Sequence, residues 1–235
     1  MPVERFYSPQ EFTPQQNLVL EETEFHHLAH VVRIQVGEEV ELVNGAGALA
    51  RATVRTLQKK SATLEIIAVS KQQPAQREVI LAQAVTRLSR LDFILEKGTE
   101  LGMTQLWLFP GDRSDRKGIN EVQVGRMAAV TIAAMKQCGR LFLPKIVLKE
   151  ALARWEIPPY VSFFGDVAPE APGITQFLQQ QLQKDVLFYI GPESGFSDNE
   201  QRELQRLKAR GVKLHSNILR ADTAALVALA AITVP

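Results

Sequence analysis

The chain has 235 residues, 46% hydrophobic and 23% charged, a globular balance with room for one large domain or for a small one joined to a larger one. No apolar run approaches the roughly 20 residues that cross a bilayer, and Met1-Pro-Val-Glu-Arg5 lacks the basic-then-apolar layout of a secretion signal, so a cytoplasmic protein with no membrane partner is expected. A single cysteine, Cys138, excludes an intramolecular disulfide, and the formal charge of +1 divides into −3 over residues 1–70, +6 over 71–155 and −2 over 156–235.

In residues 1–70 the one helical stretch lies around Glu22–Val32. Runs of β type follow at Glu39–Val43, Ala50–Leu57 and Ala62–Val69, punctuated by Asn44-Gly45 and Lys59-Lys60-Ser61, and predict a small β-barrel or sandwich. His26, His27 and His30 fit a helix surface or an RNA-facing role better than a metal cluster, because no further histidine or cysteine lies nearby in sequence. The polar segment Ser70–Arg77 reads as a linker.

From Val79 the chain alternates strands and amphipathic helices. Val79–Val85 is a strand; Leu88, Leu91, Leu95 and Gly98 mark one helix face that Gly102 terminates; Gln105–Pro110 is the next strand. Met127, Val130, Thr131, Ala134 and Cys138 repeat at helical spacing up to Gly139, and Cys138 is expected as a packed thiol. Strands are expected at Lys145–Leu148, Val161–Phe164 and Val186–Ile190, with a Gln-rich helix at Thr175–Gln183. This alternation implies an α/β fold with a mainly parallel sheet covered on both faces.

Candidate chemistry lies in two turns. At Gly191-Pro-Glu-Ser-Gly195 the chain leaves a buried strand and turns sharply, and Ser197 with Glu200 has the spacing of a capping box, so helix amides point back toward the loop. Such a loop suits an adenine, ribose or carboxylate, and no Walker-type phosphate motif is present. Glu193 either meets ligand hydroxyls or binds local backbone amides. Arg220, ahead of the helix starters Asp222 and Thr223, either pairs with an acid such as Glu193 or faces a substrate. In the basic middle third Arg113, Arg116, Lys117 and Arg140 are candidates for phosphate contacts, a solvated face being the alternative.

Five separated segments stand in a telling order: His27-Leu-Ala-His-Val-Val-Arg33 with Gly37; Glu96–Gly102; Gln137-Cys-Gly-Arg140 with Leu143-Pro144; Ile190–Gly195; and Ile218–Ala224. In that order they resemble the ribosomal RNA small subunit methyltransferase E family over nearly the whole chain. The resemblance implies a PUA-like RNA-binding β-barrel in residues 1–72 and, in 73–235, a SPOUT methyltransferase domain with a trefoil knot, a topology periodicity alone never suggests. It implies a homodimer that transfers a methyl group from S-adenosyl-L-methionine to N3 of a uridine in 16S ribosomal RNA, its partner being that RNA or the 30S subunit.

Carried over residue by residue, the cofactor cleft comprises Phe164, Gly165, Ile190, Gly191, Pro192, Glu193, Gly195, Leu214, Ser216, Asn217, Leu219, Thr223 and Ala224. Arg220 is the catalytic residue; His27, Arg33, Arg113, Arg116, Lys117 and Arg140 face RNA; no metal is implied. The chain departs from the family pattern at Ser194 and His215, where glycines are usual, at Asn217 in place of arginine and at Asp222 in place of glutamate. Ser194 is expected to stand where the backbone requires positive φ, and with His215 to narrow the pocket. Two other function classes follow: a non-catalytic RNA-binding or ribosome-assembly protein that keeps the fold, and a nucleotide-binding enzyme of another type.

Overall fold

The computed structural model describes residues 4–177 and 184–233. The chain divides into two compact units, Met1–Pro74 with Met135–Leu143, and Ala75–Ala134 with Pro144–Pro235. Among the described residues no helix is long and apolar enough to cross a membrane.

The first unit is built on one mixed sheet of β1 (Arg5–Tyr7), β2 (Asn17–Glu21), β3 (Glu39–Val43), β4 (Ala48–Leu57) and β5 (Ser61–Lys71), in the order β1-β3-β4-β5-β2. Only β1 and β3 run parallel. Alternation sets the buried face: Leu18 and Leu20 of β2 and Ala62, Leu64 and Ile66 of β5 point into a core shared with Phe6, Leu28 and Leu42. Register shifts at Arg51/Ala52 and Val54/Thr56 bend the long β4–β5 hairpin, as bulges do, into a half-barrel rather than a sandwich. The expected helix is there in two parts, α1 (Glu22–His26) and a π-helical turn His27–Val32, which ends on Arg33 at φ +62°. Residues 141–143 complete this unit: Gly47 N–H donates to Leu141 O at 2.8 Å and Leu143 N–H to Gly45 O at 3.0 Å. Gly45 and Gly47 both have positive φ, and a Cβ on either would collide with Leu143 or Phe142.

The second unit contains β6 (Val79–Ala84), α2 (Leu88–Glu100), β7 (Gln105–Phe109), α3 (Glu121–Cys138, its last turn counted with the first unit), β8 (Lys145–Leu148), β9 (Val161–Gly165), β10 (Val186–Ile190), α4 (Asp198–Arg206), β11 (Arg210–Val212) and α5 (Ala221–Thr233). The six strands are all parallel, in the order β11-β9-β10-β6-β7-β8. Every residue of β6 and β10 is buried, as central strands of a sheet covered on both faces require. Successive β6 residues alternate between two cores: Val79 and Leu81 pack with Phe188 and Leu229, and Ile80, Ala82 and Ala84 with Trp155, Tyr189 and Leu204.

Several boundaries differ from expectation. Helix α3 starts at Glu121, before the apolar repeat, and stops at Gly139, φ +83°. Strand β11 is short and has one buried residue, too little for a sequence signal. Helix α5 starts at Ala221, so Asp222 and Thr223 lie inside its first turn instead of preceding it. Of the expected Gln-rich helix, Thr175–Phe177 is helical and residues 178–183 lie outside the described residues.

Candidate functional site

Strand order creates the site. From β6 the chain continues to β7 and β8 on one side, while β10, β9 and β11 lie on the other, so the order reverses between β6 and β10. Ligands of open parallel sheets bind beyond the strand C-termini at such a reversal. On the β9 side of that reversal β9, β10 and β11 end level, with Phe164 opposite Tyr189 and Gly165 opposite Val212. A Cβ on Gly165 would lie 3.8 Å from both Ile190 Cδ1 and Leu214 Cδ1. Three expected cofactor residues, far apart in sequence, thus share one spot.

The loop after β10 is held by several groups. Gly191 lets Phe196 fold back, since a Cβ there would lie 3.3 Å from both the Phe196 ring and its backbone nitrogen. The Phe196 ring stands edge-on to Phe164 at 6.0 Å. Buried Gln83 donates to Gly191 O at 3.3 Å, and Arg113 donates to Ser194 O and Phe196 O at 3.4 and 3.1 Å. The left-handed residue is Gly195, φ +71°; Ser194 is not among the positive-φ residues, so the expected strain at Ser194 does not arise. Ser197 caps α4 with the reciprocal Glu200 bonds, and the buried Glu200 carboxylate also accepts from Asp112 N–H at 3.0 Å.

Glu193 is not paired with Arg220. Its carboxylate accepts from the Thr86 hydroxyl and, at 2.5 Å, from Arg90 of α2. What burial it has would raise its pKa; donation by Thr86 and by its own backbone N–H, with Arg90 and Arg87 nearby, outweighs that and holds it below the usual carboxylate value. Between the ends of β6 and β10 opens a cavity of about 320 Å³ lined by Thr86, Arg87, Leu88, Asp115, Arg116 and Glu193.

In the turn from β11 to α5, His215 Nδ1 accepts from Asn217 N–H at 3.0 Å, so an exposed imidazole staples the turn. Ser216 and Asn217 are exposed, Leu214 and Leu219 half-buried. Thr223 is exposed, and Ala224 packs against the core. Arg220 is exposed; its carbonyl accepts Ala224 N–H at 2.7 Å, and its guanidinium has no ion-pair partner among the described residues.

The residues expected to face RNA divide. Lys117 donates to the carbonyls of Gly111 and Asp112, closing its own loop, and Arg113 braces the β10 loop, whereas Arg116 is exposed. His27, Arg33 and Arg140 belong to the first unit. His27 is half-buried against Phe6, with ring centroids 5.6 Å apart, and burial pushes the Arg140 guanidinium below its ordinary pKa. Among the described residues no group of three or more His, Cys, Asp or Glu could hold a metal ion.

Thr86, Arg87, Arg90 and Gln83 were not singled out in the sequence. Their signal is the strand order, which places the β6–α2 turn beside the β10 loop and which periodicity does not encode. For a nucleoside-bearing cofactor the β9–β11 end offers an apolar wall of Phe164, Ile190 and Leu214, glycines where backbone must approach, and exposed Ser216 and Asn217.

Residues 72–233 match the family described as RNA methyltransferase domain, and residues 20–67 the RNA methyltransferase PUA domain. Similar proteins include Ribosomal RNA small subunit methyltransferase E of Synechocystis, 28% identical over 92% of this chain and 72% of that one, and its namesake of Buchnera aphidicola, 22% identical over 98% and 92%. Among solved structures, a Ribosomal RNA small subunit methyltransferase E from Neisseria gonorrhoeae bound to S-adenosyl methionine is 25% identical with TM-score 0.84, covering 97% of this chain and 96% of that one. A putative methyltransferase from Legionella pneumophila with bound cofactor SAM is 26% identical with TM-score 0.87, covering 99% and 97%. With well over half of its length matched by the domain model, the chain belongs to the RNA methyltransferase family.

Proposed function

We propose that this chain transfers a methyl group from S-adenosyl-L-methionine to N3 of a uridine in 16S ribosomal RNA of the small subunit. The observation that carries the reading is the meeting of Gly165, Ile190 and Leu214 beyond three level parallel strands, in a chain whose relatives are named for small-subunit ribosomal RNA methylation and have been solved with this cofactor. Residues 1–72 serve as the RNA-binding module and 73–235 as the methyltransferase. Two copies form the working unit in the cytoplasm. A trefoil knot fits the way Pro172–Ile174 is laced to Lys213: Lys213 N–H donates to Pro172 O at 2.8 Å and Ile174 N–H to Lys213 O at 3.1 Å.

Phe164, Ile190 and Leu214 would hold the adenine beside the Gly191–Gly195 loop, and the exposed Ser216 and Asn217 would meet polar groups of the ligand. When bound, the sulfonium supplies an electrophilic methyl group. Arg220, whose guanidinium has no ion-pair partner among the described residues, stabilises negative charge that grows on a uracil carbonyl oxygen as N3 gives up its proton to water, the logic of an oxyanion hole. His215 and Asn217 bond to each other within the turn, an arrangement compatible with an open cleft. The test is Arg220→Ala: methyl transfer to 30S subunits falls by about 100-fold or more while S-adenosylmethionine binding by calorimetry stays within twofold. Unchanged transfer by a folded variant overturns the role of Arg220.

A further inference from the structure

The charge around the β10 loop is committed unevenly. Arg90 is paired with Glu193, Arg113 is spent on the carbonyls of Ser194 and Phe196, and Lys117 on those of Gly111 and Asp112. Arg87 and Arg116 remain: both are exposed, neither guanidinium makes a hydrogen bond or a close ion pair among the described residues, although Arg87 lies near enough to Glu193 to favour its ionised form, and both line the cavity of about 320 Å³ at the sheet's order reversal. That volume stands at the lower end of the roughly 300–1,000 Å³ of small-ligand sites, room for a single nucleotide rather than a length of chain.

The lining is sorted by chemistry. Two exposed guanidiniums whose N–H donors are not taken up by hydrogen bonds match a phosphate, which they can grip through paired donors. The Asp115 carboxylate repels phosphate and accepts from hydroxyls, as a ribose offers, and Leu88 gives an apolar surface for a sugar or base. Glu193, kept ionised and with its donors already supplied by Thr86 and Arg90, is a rigid floor belonging at once to this cavity and to the loop after β10.

We infer that this cavity is the subsite for one nucleotide of the substrate RNA, with Arg87 and Arg116 clamping its phosphate. The inference rests on the proposed activity for the identity of the ligand, and its position gives that activity a route. A nucleotide seated here lies against Glu193, which stands in the same loop as Gly191 and Gly195, the glycines assigned to the cofactor.

The test uses the full-length protein, a fluorescent oligouridylate and a salt titration. Arg87→Gln and Arg116→Gln each weaken oligouridylate binding and lower the log–log salt slope by about 0.7, the value for one lost contact to a single-strand phosphate, while Arg87→Lys keeps the slope. Arg202→Gln, which removes a cation of α4 outside the cavity, leaves the slope as in wild type. Calorimetric S-adenosylmethionine affinity stays within twofold in all four. Unchanged slopes in Arg87→Gln and Arg116→Gln overturn the inference, as does an equal fall in Arg202→Gln, which would mean diffuse attraction only. Lost S-adenosylmethionine affinity also overturns it, by giving the cavity to the cofactor. Wild-type methylation is measured alongside: its absence sinks the proposed activity, while the subsite is still judged on the slopes.

Discussion

Gly191→Ala tests whether the loop after β10 is a wall of the cofactor site. The added Cβ would sit 3.3 Å from Phe196 Cδ2 and 3.3 Å from Phe196 N. Backbone nitrogen cannot rotate away, so Phe196 and the loop must shift by a few tenths of an ångström. Gly191 is not at positive φ, so the effect is steric and not backbone strain. Overpacking of this kind costs about 1–1.5 kcal/mol, at the mild end because no contact falls below 3.0 Å. For a domain this size that lowers Tm by about 2–5 °C. The shift also moves the Phe196 ring against Phe164, so S-adenosylmethionine affinity falls by about tenfold, or 1.4 kcal/mol. Differential scanning fluorimetry and isothermal calorimetry read the two effects, with Gly118→Ala as control because nothing lies within 4 Å of its Cβ. Wild-type affinity in a Gly191→Ala protein with a lowered Tm would refute the claim that this loop walls the cofactor.

Glu200→Ala strands the backbone N–H groups of Ser197 and Asp112 while the Ser197 Oγ half of the capping box remains, costing about 2–3 kcal/mol and lowering Tm by about 5–10 °C; a change under about 2 °C would contradict it. Glu193 has a folded-state pKa below its unfolded value, so its contribution is full above the unfolded pKa and fades as pH falls through the folded one. The Tm gap between wild type and Glu193→Gln is therefore widest above about pH 5 and closes on acidification, whereas a pH-independent gap would count against the Thr86–Arg90 network. Gly125→Ala, in the exposed interior of α3 with open space at its Cβ, raises stability by about 0.5–1 kcal/mol, measured by urea denaturation; a loss would point to an unseen packing role.

What was legible in the sequence follows physical signal strength. Strands β6 and β10 are buried on both faces and read as apolar runs, broken only by Gln83 in β6, and the Ser197–Glu200 capping box is local chemistry that the fold preserves. Strands β1 and β11, three residues each, are defined by their partners and not by their own pattern, and the Gly125 helix interruption hid the first turn of α3. The two C-terminal turns were found because each carries its chemistry in consecutive residues. The partners of Glu193 were not, because Thr86 and Arg90 lie more than 100 positions away and meet it only through the β10–β6 pairing. The basic middle third is visible as charge, but hydrogen bonding decides which cations are available: Arg113 and Lys117 are consumed by carbonyls, and Arg87, in the same third, stands in a turn that no motif marks.

Nucleoside mass spectrometry reads methyl transfer to small-subunit ribosomal RNA directly. Purified protein is incubated with isotopically labelled S-adenosylmethionine and 30S subunits from a strain lacking the enzyme. One labelled N3-methyluridine per 16S molecule is the expected result. Cofactor binding without any labelled methyluridine in the 16S RNA would contradict it.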